Sequence, residues 1–271
     1  MRKEVYKAAM TMIAGFPASV ARPDRVTGPP VVLLHGAFAD HTCFDTWLPQ
    51  IAAAGHVAIA ASRRGRLGVG PNRASGVTFE DYVADTLAVL DTLDEPAVLV
   101  GHSLGGLLAQ KAAELGRARA LVLLASAPPA MLTAQAVALP HFAPLLPKIM
   151  SGRPVIVPNG ACSVLALNKV PEPDRPALHA RLVHESGKVY RALMAGTVRV
   201  RPAEVPVRVV GGTEDRIIST ALTRKTASHH GVEPLILEGH GHWLMAEPGW
   251  EQLLDGLLAW MAEVAPAVSE A

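Results

Sequence analysis

The stretch VLVGHSLGGLLAQ, Val98–Gln110, decides the fold. An apolar run ends at Gly101, a hydroxyl stands at Ser103 between two glycines, and a leucine-rich stretch follows at once. Aliphatic residues without polar alternation fit a strand buried on both faces, and the spacing of Leu104, Leu107 and Leu108 fits the apolar side of a helix. A strand that turns directly into a helix leaves little room at the corner. Ser103 is therefore expected in an unfavourable backbone conformation, and side chains at positions 101 and 105 would collide with neighbouring elements. The serine is pushed out at the carboxyl end of a sheet, where the first amides of the new helix point at its oxygen.

Outward from this corner, similar runs recur: VVLLHG (31–36), HVAIAAS (56–62), PAVLVG (96–101), ALVLLAS (120–126), VRVVGG (207–212) and PLILEG (234–239). They predict a mainly parallel sheet covered by helices on both faces. Thr78 and Asp81 form a capping box ahead of Phe79, Tyr82, Val83, Thr86, Leu87, Leu90 and Leu93, which recur at helical spacing before Pro96. A second helix, 104–115, should bury Leu104, Leu107, Leu108 and Leu115 and stop at Gly116. The last begins near Pro248 and carries Trp250, Leu253, Leu254, Leu257 and Met261 on one stripe. Between Pro128 and Ala203 the strand signals vanish, and Pro140, Pro144, Pro147, Pro154, Pro158, Pro171, Pro173 and Pro176 break the chain into short pieces. The expected organisation is an α/β core of residues 1–127 and 204–271 with a helical cap inserted at 128–203.

With 271 residues, 50% hydrophobic and 18% charged, the chain is able to bury a sizeable core, and an ordered domain is expected. A net charge of +1 gives no case for nucleic acid. Cys43 and Cys162 are far apart and form no CxxC pair, so neither a disulfide framework nor a cysteine-rich zinc site is indicated, and a reducing compartment fits. No apolar stretch reaches the length of a membrane span. At the N-terminus, Lys3 and Lys7 ahead of AAMTMIAGF imitate a secretory signal, but Glu4 and Pro17 break the pattern. The expectation is a cytoplasmic protein whose first segment is an edge strand leading into the domain.

Four segments, LLHGAF (33–38), GHSLGG (101–106), VVGGTEDRI (209–217) and GHGHW (239–243), make the chain resemble the α/β-hydrolase fold superfamily over most of its length. In that family a nucleophile is followed in sequence by an acid and then a histidine, here Ser103, Asp215 and His242. A general base must be neutral near pH 7 and sit on a loop after the last strand. The resemblance favours His242, immediately before an aromatic and a few residues ahead of Glu247 and Pro248, and leaves His240 as a flanking residue. Asp215 follows VRVVGG, where the family keeps its acid, with Glu214 the adjacent competitor. The resemblance assigns the oxyanion hole to the backbone N–H groups of Ala37 and Leu104, with Phe38 as the fallback, and leaves His35 as a brace of its loop. Relatives carry an Asp-Arg-x-Gly turn where this chain has Ser62, which puts that local bracing in doubt.

The implied reaction is two-step acyl transfer, with hydrolysis of carboxylic esters of small to medium apolar substrates as the default and no cofactor. Thioesterase, lactonase, C–C hydrolase and perhydrolase activities would use the same three residues. A binding-only receptor on a hydrolase scaffold is the alternative of another class. Serine at 103 excludes the epoxide hydrolase and dehalogenase chemistry that needs an aspartate there. Neither His240 with His242 nor the pair His229 and His230, which reads as a solvated helix end, has the carboxylates a metal site would need. The segment 62–70 lacks the pattern of a nucleotide-binding loop. The cap holds nine Lys or Arg against three acids, Glu172, Asp174 and Glu185. Such a surface would suit an anionic substrate or an acidic acyl carrier, although charges at such positions ordinarily face water. Its apolar residues, among them Met131, Leu145, Leu165 and Met194 with the aromatics Phe142 and Tyr190, pack it onto the body and leave room for an apolar group.

Overall fold

The computed structural model describes residues 6–66, 71–130 and 132–266. Lys3, Glu4, Met131 and the end of the Ser62 loop, residues 67–70, lie outside the described residues. All six apolar runs are strands: β3 (Val31–Leu34), β4 (Ala58–Ala61), β5 (Ala97–His102), β6 (Ala118–Leu124), β7 (Val207–Gly212) and β8 (Leu235–Leu237). Ahead of them, the segment that imitates a signal forms β1 (Ala9–Ile13) and, with β2 (Phe16–Ala21), a hairpin at the sheet edge. The eight strands form one sheet in the order β1-β2-β4-β3-β5-β6-β7-β8. β1 and β2 run antiparallel, and β4, β3, β5, β6, β7 and β8 pair parallel.

Because strand side chains alternate, each central strand feeds two cores. Val31, Leu33, Val98, Val100 and Val122 face one side, and Val32, Leu34, Leu99, Leu121 and Leu123 the other. The first core is closed by α1 (Leu48–Ala53) and by the C-terminal helix, which brings Leu253, Leu254, Leu257 and Met261. The second is closed by α2 (Phe79–Leu90) and α3 (Leu104–Glu114). The capping box at α2 is formed: Thr78 Oγ1 accepts from Asp81 N–H, and Asp81 Oδ2 from Thr78 N–H. Leu115 departs from expectation, being 48% exposed. It is the C-cap of α3, beyond the last helical residue, and the chain turns away at Gly116 with φ +72°.

Between β6 and β7 lie five short α-helices, α4 (Leu139–Phe142), α5 (Leu146–Met150), α6 (Asn159–Leu165), α7 (Arg175–Ala180) and α8 (Gly187–Ala195). Among the described residues this segment has no strand beyond the isolated bridge Val155–Glu185. Its Ile149, Leu167 and Val170 join the first core, and Val189 and Leu193 join the second. The remaining helices are α9 (Thr220–His229) and α10 (Trp250–Val264). The end of α9 is not solvated as its histidines suggest. His230 is half-buried, accepting from Ala203 N–H at Nδ1 (3.1 Å) and lying 3.0 Å from Gln110 Oε1 through Nε2. Among the described residues no helix is long and apolar enough to cross a membrane.

Candidate active site

Strand order reverses between β3 and β5, and in a parallel sheet the crevice at such a switch lies beyond the carboxyl ends of the strands. Asp215 and His242 are paired there, and His242 and Ser103 line the same cavity. Ser103 links β5 to α3 with φ +52° and ψ −118°, a strained conformation for a residue with a side chain. Its amide donates to Leu124 O (3.0 Å), and its carbonyl accepts from Gly106 and Ala127 N–H, so the corner is pinned to the end of β6. A β-carbon on Gly101 would lie 2.5 Å from Gly105 O, and one on Gly105 would lie 2.0 Å from Leu34 O. Both glycines are there because backbone passes where a side chain would be.

Asp215 lies beyond β7 and is buried. Its Oδ1 accepts from the amides of Ile217 (2.8 Å) and Ile218 (2.9 Å), and its Oδ2 stands 2.8 Å from His242 Nδ1. With Nδ1–H donated to the carboxylate, the Nε2 lone pair of His242 is left to act as a base. Glu214 instead is half-exposed, near Lys169. His240 lies 3.3 Å from Glu247. The buried Glu247 accepts from Gly241 N–H (2.7 Å) and Trp243 N–H (2.9 Å), the amides on either side of His242. Glu247 thus clamps the loop; the sequence showed it only as part of a pattern.

The loop after β3 carries the Ala37 and Phe38 amides. Phe38 has φ +61°. His35 is fully buried and neutral, its pKa pushed well below the usual value by burial and then by Arg63 and Arg66, in keeping with a brace. Leu104 opens α3, and the first amide of a helix has no intrahelical acceptor. His102, not singled out in the sequence, lies against the His242 ring at 4.8 Å, and its Nε2 is 2.9 Å from His242 O. Burial and then His242 hold His102 neutral, so the Nε2–H donates to that carbonyl. At the position where relatives carry the aspartate, Ser62 Oγ lies 2.8 Å from His41 Nδ1 and accepts the His41 N–H.

Ser103, His242, Ala37 and Phe38 line one cavity. Apart from His102, its other walls are largely apolar and come mostly from the helical segment, including Phe142, Val157, Leu165, Leu182 and Tyr190. Phe142, Tyr190 and Ile217 also border a second apolar cavity. The Cys162 thiol faces the first cavity, where burial pushes its pKa up to about 12 and keeps it protonated. Among the described residues no Lys or Arg lines either cavity. Among the described residues, too, no group of three or more His, Cys, Asp or Glu is placed to hold a metal ion.

The fold and the site define a class, and the chain belongs to the alpha/beta hydrolase family, whose model matches residues 31–253. BpoC of Mycobacterium tuberculosis strain H37Rv, named for a non-heme bromoperoxidase, is 40% identical over 95 residues, 34% of this chain and 36%, about a third, of BpoC. YfhM of Bacillus subtilis strain 168, an AB hydrolase superfamily protein, is 26% identical over 275 aligned positions, 86% of this chain and 90% of YfhM. The crystal structure of Paleococcus ferrophilus monoacylglycerol lipase shares the fold at a TM-score of 0.69 and 20% identity, covering 92% of this chain and 99% of the lipase.

Proposed function

We propose that this hydrolase cleaves uncharged carboxylic esters with Ser103 as nucleophile, His242 as general base and Asp215 as the acid that orients it. The observation that carries the reading is the 2.8 Å contact of Asp215 with His242 Nδ1 beside a serine held at φ +52° on the wall of the same cavity. His242 Nε2 takes the Ser103 proton as Oγ adds to the ester carbonyl. The oxygen that becomes negative is held by the N–H groups of Ala37 and Leu104, the second also favoured by the N-terminal end of α3. Collapse of the intermediate expels the alcohol, which receives the proton from His242. Water then adds to the acyl-enzyme by the same route and releases the acid.

The walls support an apolar, uncharged substrate of small to medium size, and the absence of lysine and arginine from them, among the described residues, disfavours an anionic group beside the serine. In this reading residues 128–203 form a cap over the serine, and its helices supply most of the apolar wall. Steady-state release of p-nitrophenol from acetate, butyrate and octanoate esters tests the proposal. Wild-type turnover that Ser103→Ala abolishes is the expected result. A folded wild type inactive on every ester, or a fully active Ser103→Ala, would remove it.

A further inference from the structure

The loop that presents the Ala37 amide is held from behind at four of its carbonyls. Arg63 Nη1 donates to His35 O (2.8 Å) and Arg63 Nη2 to Gly36 O (3.2 Å). Val183 N–H donates to Phe38 O (2.8 Å), and Arg66 Nε to Ala39 O (3.0 Å). Arg63 and Arg66 are only 2% and 6% exposed. Burying a guanidinium is costly, and such groups are normally found against carboxylates. Arg66 conforms: its Nη2 lies 2.5 Å from Glu185 Oε2, with both side chains fully buried, and Tyr82 OH donates to Glu185 Oε1 (2.6 Å). Arg63 does not. Among the described residues its hydrogen bonds go only to His35 and Gly36, and its charged end otherwise stacks on the Tyr82 ring at 4.8 Å.

The physical consequence follows from peptide geometry. Gly36 C=O and Ala37 N–H are opposite ends of one planar group. A donor that pins the carbonyl therefore fixes the direction of the N–H, and a charged donor also polarises the group and strengthens the N–H as a donor. Arg66 holds the far side of the same loop at Ala39, and its partner Glu185 belongs to the helical segment that walls the cavity.

We propose that Arg63 and Arg66 are positioning residues that aim the Ala37 N–H at the oxygen on which negative charge develops, with Glu185 tying that aim to the helical segment. This rests on the serine hydrolase reading of the site. Removing the fork of Arg63 should therefore weaken binding of the transition state and leave binding of the ground state unchanged.

The experiment compares wild type, Arg63→Met, Arg63→Lys and Glu185→Gln in ester turnover and in inhibition by an alkyl trifluoromethyl ketone. The ketone adds Ser103 Oγ to its carbonyl and carries an oxyanion in the hemiketal. The corresponding alkyl methyl ether, which cannot add, reports ground-state binding. Arg63→Met is expected to lower kcat about 100-fold and weaken the ketone by a similar factor, with KM and ether affinity within about twofold. Arg63→Lys keeps a charge but only one of the two bonds and should fall in between, and Glu185→Gln should lose about fivefold in kcat. Should Arg63→Met fail to fold, the lysine and glutamine variants carry the same comparison. Folded variants whose kcat and ketone affinity stay within about twofold of wild type overturn the inference, as does an equal loss for ketone and ether, which marks a merely structural brace. A wild type that neither turns over esters nor adds the ketone overturns the hydrolase reading itself, and this inference with it.

Discussion

Asp215 Oδ2 stands 2.8 Å from His242 Nδ1 across 27 positions of chain, and the other carboxylate oxygen is already committed to the amides of Ile217 and Ile218. The carboxylate therefore has no freedom to rotate away from the ring. Asp215→Asn would replace an acceptor-only group by one that offers N–H to the imidazole or to those amides, disturbing the tautomer that leaves Nε2 free. We expect kcat to fall about 10⁴-fold with a melting temperature close to wild type. A loss below about tenfold in steady-state ester turnover would reject this role for Asp215.

The two glycines flanking the serine make a stability prediction. In Gly105→Ala the new methyl group would meet Leu34 O at 2.0 Å and Leu34 C at 2.5 Å, both strand backbone unable to yield cheaply. Urea unfolding should show a loss of at least about 2 kcal/mol, with turnover reduced as the corner shifts. Gly256 offers the contrast: it lies in α10, where an added methyl group would meet nothing within 4 Å. Gly256→Ala should stabilise by about 0.5–1 kcal/mol through helix propensity and lower unfolded-state entropy.

Glu247 is expected to matter as much for the histidine loop as for overall stability. Its truncation leaves the buried amides of Gly241 and Trp243 without their acceptor. Each such orphan costs about 1–3 kcal/mol, so Glu247→Ala should lose about 2–6 kcal/mol in chemical denaturation and turn over esters more slowly even when folded. Unchanged unfolding midpoints would contradict the clamp.

His230 makes the fold acid-sensitive in a defined window. Burial, and secondarily the adjacent His229, lowers its pKa from 6.5 to about 4. The geometry agrees, since Nδ1 accepts the Ala203 amide and a proton there would displace that bond. A folded-state value below the unfolded one means that the unfolded chain binds the extra proton first. The contribution of His230 is thus fully present above pH 6.5 and is lost as pH falls towards 4. Thermal unfolding from neutral pH down to about 4 should show a flatter pH dependence in His230→Asn than in wild type. Parallel curves would show that the group is not responsible.

Some of this molecule was legible in residue order because the relevant physics is local. A strand buried on both faces must be continuously apolar, and a strand-to-helix corner at Ser103 must have glycines two positions to either side. Those requirements leave marks at Val31, Val98, Leu121 and Val207, and at Gly101 and Gly105, that need no knowledge of neighbours. The choice of Asp215 and His242 over Glu214 and His240 also came from pattern, and the structure pairs the chosen two. Leu115 went astray because its helical phase was right but the helix ended one residue too soon to use it.

Other features depended wholly on tertiary structure. Glu185 is one of the cap charges expected to face water, and nothing in residue order marks Arg63 or Arg66 as buried, since in sequence a buried guanidinium looks like an exposed one; only folding places Arg66 against Glu185, 119 positions away. His230 likewise gains its partners Gln110 and Ala203 from other segments. The sequence by itself determined the strand-helix alternation and the tight glycine-flanked corner at Ser103, through requirements each segment must meet alone. Tertiary structure decided which charges are buried, which amides are clamped and how the cavity is walled, because desolvation and hydrogen bonding depend on neighbours that chain order does not bring together.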